Sequence, residues 1–464
     1  MKGVLKKTPY AFFLFFILLL SHHFSQDSGF RSQSVINPVL GWHTYLGDKR
    51  DDFSEAIAVD ERGNVYLAGW SDTTWGSPIN PHAGNQDAFV AKLDENGVLL
   101  WHTFLGSSRW DEARGIAVDE KGNVYVAGSS KKKWGTPVHP HTGDEQDAFA
   151  AKLNSKGELK WHTFMGGDNS SDRGTSIAVD KNGNVYVGGF GGAFWDTPPV
   201  YPISSGTDGW LTKLNPGGVR QWYTPMGSSQ IASIRAIAVD TTGNICVAGW
   251  GDGPWFRRSI DPFSGKKDAF VAKFDYRGVH LWHTFLGSSK SDAGSGIAVD
   301  GNDNIYVSGD SDATWGKPIN AYSKPSDPFI AKLNANGARL WNTFLGSLGG
   351  SGGWAIAADR MGNAYAAGVS TGDEIDPFGH PGLFTAKLNH SGEFLWNTFF
   401  EAISGEGNSI ALDPSGNIYL GAGSDVPWGD PINSYAKRWD ALAAKIDRGI
   451  RIASWNLLNY SGLN

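Results

Sequence analysis

The sequence predicts an all-β fold: a seven-bladed β-propeller of four-stranded antiparallel blades, closed by pairing of the N- and C-terminal strands. Three observations carry this reading. A ten-residue segment, Ile57-Ala-Val-Asp-Glu-Arg-Gly-Asn-Val-Tyr66, occurs in seven copies, beginning at Ile57, Ile116, Ile177, Ile237, Ile297, Ile356 and Ile410. Each copy opens a unit with four short runs rich in Val, Ile, Tyr, Phe, Trp and Thr, separated by turn residues. The composition fits a packed chain: of 464 residues, 40% are hydrophobic and 19% charged, which excludes disorder. Glycine is abundant at 61 residues but has no three-residue period, so collagen is excluded too.

The chain opens with Lys2, Lys6 and Lys7 before the apolar run Tyr10 to Leu20. A run of this length is too short to span a bilayer and reads as the core of a secretory signal peptide, residues 1–25. Residues 26–36 form a short linker, and 37–464 form the propeller. No later segment is apolar for long enough to cross a membrane. The expected address is therefore extracytoplasmic: secreted, periplasmic or on the cell surface. The single cysteine, Cys246, excludes an intrachain disulfide, and it sits where other units have Tyr. It is expected to be a small buried apolar residue.

Within the first unit, strand A is expected at Ile57–Asp60, B at Asn64–Gly69, C at Asp87–Leu93 and D at Leu99–Leu105. Gly63 and Gly97 suit the left-handed position of the A–B and C–D turns. One such sheet cannot bury both of its faces, whereas seven in a ring can. Trp, Phe and Leu of strands C and D are expected to fill the wedges between blades. Strand D signals number eight, with tryptophans at 42, 101, 161, 222, 282, 341, 396 and 455. Either Trp42-His-Thr-Tyr-Leu46 or the run around Trp455 completes the last blade; the N-terminal copy matches the consensus better.

These repeats resemble those of the bacterial seven-bladed β-propeller (SBBP) repeat family. The residues that carry the resemblance are Gly115-Ile-Ala-Val-Asp, Gly122-Asn-Val-Tyr-Val-Ala-Gly128, Asp147-Ala-Phe149, Ala151-Lys-Leu153 and Trp161-His-Thr-Phe164. The resemblance implies a propeller and often an exported protein, and supplies no catalytic residue.

Strand parity places the tight A–B and C–D turns at one end of the ring and the longer B–C and D–A loops at the other. Long loops on a rigid scaffold are where binding usually resides. The B–C loops carry Trp75, Trp134, Trp195, Trp255, Trp315 and Trp428, which could form aromatic platforms for sugars or peptides, or could pin their own loops. The D–A loops carry Asp52, Asp111, Asp172 and Asp292, which could ring the channel mouth and hold a cation, or could cap their own loops. The recurring Asp at the start of strand C and Lys near its end read as structural. His139-Pro-His141 and the basic runs Lys131-Lys-Lys133 and Arg257-Arg258 break the repeat.

A net charge of −7 offers no field to attract nucleic acid. There is no Gly-x-Ser-x-Gly, His-Glu-x-x-His or P-loop. The expectation is a non-enzymatic binding or scaffold module without cofactor, its partner a glycan or a cell-surface protein. The alternative is a propeller enzyme (lyase, hydrolase or quinoprotein-like dehydrogenase) with its site at the channel mouth. Ala91 to Gly97 followed by Trp101 is similar to the repeat of quinoprotein propellers, with a shorter turn and fewer blades. A structural surface-layer or adhesion role is a third possibility.

Overall fold

The computed structural model describes residues 39–448, apart from 168–169, 193–198, 202–207, 228–230, 256–257, 324–325, 347–353, 371–381, 402–408 and 437. Seven four-stranded antiparallel sheets each run in the order A-B-C-D. In blade 1 these are Asp52–Val59, Val65–Ser71, Asp87–Leu93 and Leu99–Leu105. The A strands of successive blades contact one another all the way round, blade 7 against blade 1 included, so strand A is innermost and lines the channel.

The last blade is completed from the N-terminus. Val39–Leu46 is its outer strand and pairs antiparallel with strand C, Asp440–Asp447, with Trp42 opposite Lys445. The copy around Trp455 lies outside the described residues. The pairing ties the two ends of the propeller together and closes the ring.

Strand A is longer than its hydrophobic run. It starts at Asp52 rather than Ile57, because a bulge between Ser54 and Ala56 lets it keep pairing with Trp70 and Ser71. A bulge inserts one residue and breaks alternation, which hides this extension in the sequence. The kink also brings the Phe53 carbonyl oxygen within 1.7 Å of where a Cβ on Gly69 would sit. Only glycine allows that approach.

The core lies in the wedges between blades. Leu67, Phe89, Ala91 and Phe104 of blade 1 form one buried cluster with Tyr419, Ala441 and Ala443 of blade 7. At the outer edge of six wedges, among the described residues, the strand D tryptophan donates its indole N–H to the next blade's C–D turn. Trp42 reaches Glu95 O at 2.9 Å, Trp161 reaches Pro216 O at 2.9 Å and Trp282 reaches Ala335 O at 3.2 Å. The indole also lies flat over the turn glycine: a Cβ on Gly97, at φ +82°, would come within 2.8 Å of the Trp42 ring. One recurring Trp-to-Gly contact thus sets blade spacing.

Candidate functional site at the long-loop end of the channel

The tight-turn end repeats one network. Asp60 accepts the amides of Arg62 and Asn64 on one oxygen, and the Asn64 side chain (2.7 Å) and Tyr66 hydroxyl (2.9 Å) on the other. Asp119, Asp180, Asp300, Asp359 and Asp413 do the same for Tyr125, Tyr186, Tyr306, Tyr365 and Tyr419. The strand C lysine lies over the tyrosine ring, as Lys92 does over Tyr66 at 5.0 Å. Blade 4 has Cys246 instead, buried, its thiol pushed up to about 12 by desolvation. With no ring in the way, Lys273 bonds Asp240 directly at 2.7 Å.

The loop tryptophans fold inward. Trp75 is 7% exposed and stacks on the His102 ring at 3.8 Å, and His102 Nε2 sits 2.7 Å from the Trp75 carbonyl. Trp134 with His162 and Trp428 with His43 repeat this at 3.8 Å. Trp255 stacks on His283 at 4.6 Å. Trp315 has its carbonyl bonded by Asn342 at 3.1 Å and the Arg339 guanidinium over its ring at 5.3 Å. Burial lowers the pKa of His43, His102 and His162 against the pull of these carbonyl contacts, so each Nε2 carries its proton as a neutral donor. The recurring strand D histidine is therefore the seat of the loop tryptophan. An indole with one face on an imidazole and its edges on Phe89 and Phe104 offers no open platform. Trp195 lies outside the described residues.

The rest of the B–C loop runs along its own outer strand. The Ile79 amide donates to His102 O at 2.9 Å, and the Phe104 amide donates to Asn80 O at 3.2 Å. Backbone groups on the edge of strand D are thereby paired, which removes part of an otherwise open sheet edge.

The four aspartates do not ring the channel with open carboxylates. Asp52, Asp111 and Asp292 begin strand A, Asp172 directly precedes it, and all four are buried. Asp111 accepts the Ser107 amide (2.7 Å) and hydroxyl (2.9 Å), and the Ser130 hydroxyl as well. Asp292 repeats this with Ser288 and Ser311. Asp52 takes the Asp48 amide at 2.9 Å, and Asp172 takes the Ser170 hydroxyl at 2.7 Å. Each carboxylate folds its own D–A loop. Desolvation raises Asp52 and Asp111 to about 7 despite these bonds, helped by the neighbouring Asp440 and Asp87 at the start of strand C in the preceding blade. Asp87, Asp147 and Asp268 in turn cap the ends of the B–C loops through the amides of Ala83, Thr142 and Ser264.

His139 and His141 do not converge on a metal: His141 Nε2 contacts Ser130 O at 3.1 Å, while His139 faces the Arg220 amide at 3.4 Å. Among the described residues no cluster of metal-ligating side chains occurs. Lys131 pairs with Glu145 at 3.0 Å, both half-exposed, and Arg257 lies outside the described residues.

What breaks the repeat at this end lies in strand A itself. The residue after the Asp52 position (Asp111 in blade 2, Asp172 in blade 3, Ala232 in blade 4), and the bulge residue two further on, differ from blade to blade. They are Phe53 and Glu55 in blade 1, Glu112 and Arg114 in blade 2, Arg173 and Thr175 in blade 3, and Ser233 and Arg235 in blade 4. A hydrogen-bonded chain crosses from blade 2 to blade 3. Ser129 donates to Glu112 at 2.8 Å, Gln146 donates to Ser129 at 3.0 Å, and Arg173 Nε donates to Gln146 at 3.2 Å. Arg114 bonds the other oxygen of Glu112 at 2.9 Å. Burial works to raise the Glu112 carboxyl, but Arg114, Ser129 and the charge of Arg173 overcome it and leave it below its ordinary value. Arg235 faces channel solvent, with its guanidinium 5.7 Å from the Phe190 ring centre. The enclosing walls, then the charges of Arg114 and Arg173, hold its pKa below the usual arginine value. Three guanidiniums on consecutive blades thus share one field, with Glu112 bonded to Arg114. In the adjoining blades 1 and 7, Trp70, Phe53 and Trp439 stack at 4.6 and 4.8 Å. Sequence inspection directed at the loops passes over these residues. Reading the seven copies column by column, strand A included, would have found them.

Comparison with known proteins agrees with this architecture. The family model for the SBBP beta-propeller repeat matches residues 41–74, 100–132, 160–189 and 281–314. Four stretches of the chain therefore match the SBBP beta-propeller repeat. The chain is 25% identical over 405 residues to the regulatory protein FlaEY of Caulobacter vibrioides, covering 78% of this chain and 41% of that protein. It is 24% identical over 240 residues to an uncharacterized WD repeat-containing protein of Acanthamoeba polyphaga mimivirus, covering 42% of this chain and 17% of the relative. The chain thus spans less than half the length of these curated relatives. The solved structure of U3-55K superposes with a TM-score of 0.52 at 10% identity, over 88% of this chain and all of that one. That likeness is one of fold.

Proposed function

We propose that this propeller is an exported, non-enzymatic binding or scaffold module that grips its ligand, a glycan or a protein, at the long-loop end of its channel. The observation that carries the reading is the contrast between the two ends. Six of seven blades repeat one Asp-Tyr network at the tight-turn end, whereas the opposite mouth gathers side chains that differ from blade to blade. A ligand-binding surface on a symmetric scaffold must break the symmetry, because a ligand lacks the scaffold's seven-fold repeat. Binding residues are also commonly presented at one end of such a ring by rigid strands. Export rests on the basic and apolar opening of the chain, and the extracytoplasmic address follows from it.

Two measurements test the proposal. The secreted protein should begin near residue 26 by N-terminal mass spectrometry; intact Met1 in a cytosolic fraction would remove the export claim. Arrays of glycans and surface proteins probed with the full chain should give binding that Arg173→Gln weakens and that a tight-turn variant, Lys92→Gln, does not. The reverse pattern would move the binding face to the other end. Turnover of a captured glycan would place the protein among propeller enzymes.

A further inference from the structure

We infer that the ligand at this mouth is an acidic polysaccharide, a sugar chain bearing carboxylates, held by Arg114, Arg173 and Arg235. The inference rests on the binding face proposed above and names the chemistry that face selects.

Charge comes first. The whole chain carries a net charge of −7, so three arginines converging on consecutive blades run against the average. One is partly neutralised by the Glu112 bond at 2.9 Å; among the described residues the other two have no such carboxylate partner. Arg235 is held below its ordinary pKa first by the channel walls and then by the like charges of Arg114 and Arg173, so an incoming anion relieves a repulsion already present.

Preorganisation comes second. Arg173 is fixed through Gln146 and Ser129 to Glu112, and Arg235 rests against Phe190. A guanidinium already oriented loses less freedom on meeting a carboxylate, and its planar fork matches both oxygens.

The hydrogen-bond inventory then separates a sugar from a peptide. The mouth is rich in donors: Arg114, Arg173, Arg235 and Lys267, whose ammonium lies 4.4 Å from the Trp250 ring centre. Of the carboxylates in strand A here, Glu112 is already occupied by Arg114 and Ser129, and Glu55, at the bulge position that Arg114 fills in the next blade, is engaged as well. An acidic peptide brings one backbone N–H per residue that would need acceptors. A uronate chain brings mostly oxygen acceptors, with hydroxyls that can also point to water. Flat apolar surface is exposed at the same end of the ring: Trp110, in the D–A loop leading to blade 2, is 65% exposed and offers an open face on which a sugar ring can stack.

Calorimetry on the full chain provides the test, with oligogalacturonate, oligomannuronate, cellohexaose and poly-L-glutamate as probes. At least one uronate oligomer should bind, more weakly at high salt, and cellohexaose and poly-L-glutamate should not. Arg173→Gln and Arg235→Gln should each weaken uronate binding about tenfold, the scale of one charge-assisted hydrogen bond, with unchanged melting temperature. Trp110→Ala should weaken it without altering its salt dependence. Failure of both uronates to bind, or binding indifferent to the two arginines, overturns the inference. Binding of cellohexaose or poly-L-glutamate that depends on Arg173 or Trp110 overturns the acidic-sugar assignment but leaves the binding face standing. Uronate binding abolished by Lys92→Gln and untouched by Arg173→Gln overturns both.

Discussion

The two ends of the propeller are made from the same four strands and obey different rules. At the tight-turn end, one Asp, one Tyr and one Lys recur and bond to one another, so the blades there are nearly interchangeable. At the long-loop end, among the described residues, the strand A side chains change from blade to blade. Repetition marks what holds the ring together, and departure from it marks where the surface is free to take up a task. The loop tryptophans belong to the first group although they lie at the second end. They recur because each of the five described ones is seated on its own blade.

The largest expected effect sharpens that assignment. Trp75→Ala removes a buried indole from between His102, Phe89 and Phe104 and should cost about 3–5 kcal/mol of stability in denaturant titrations. A loss below about 1 kcal/mol would return Trp75 to the surface and to the list of candidate platforms. A second effect separates blade 4 from its neighbours. Lys273→Ala leaves buried Asp240 without its partner and should cost about 3 kcal/mol. Lys92→Ala, which removes a cation from over Tyr66, should cost about 1 kcal/mol or less. Equal costs would mean that Cys246 has not changed the network.

The D–A carboxylates give a pH signature. Asp52 and Asp111 titrate near 7 in the fold, well above an unfolded carboxyl. Between about pH 4 and 7 the native state therefore holds protons that the unfolded chain has lost, and stability falls as pH rises through that window. Below the unfolded pKa the stabilisation is fully present. Asp111→Asn should flatten the decline, by an amount on the order of a kcal/mol or more, in melts taken from pH 4 to 8. A wild-type protein that gains stability over the same range would contradict the burial of these groups. The smallest expected change is at the mouth. Arg173→Gln should shift stability by about 0.5 kcal/mol or less, since channel solvent reaches the site. A large loss there would make Arg173 a structural residue like the turn aspartates and erase the contrast between the ends.

Much of the ring was legible in advance. Strands C and D of blade 1 fall where their hydrophobic runs place them, and closure by Trp42 follows from its better match to the repeat. The start of strand A was not legible, since the bulge at Ser54–Ala56 breaks the alternation by which strands are recognised. The site was legible least. Trp75 and Asp52 could be found by recurrence, but a repeated residue can face inward or outward with the same spacing. Arg114, Arg173 and Arg235 lie at two different positions within strand A, and only the curvature of the ring brings them into one field.

The sequence by itself determined the number of blades, their strand order and the segregation of long loops to one end. Those follow from periodicity and chain reversal, which are local properties summed along the chain. Tertiary structure alone decided which side chains are buried, because that depends on what a neighbouring blade or a folded-back loop places against them. His102 beneath Trp75, Trp42 over Gly97, and three guanidiniums around one channel are contacts between residues distant in sequence. No spacing rule along a single chain encodes such contacts.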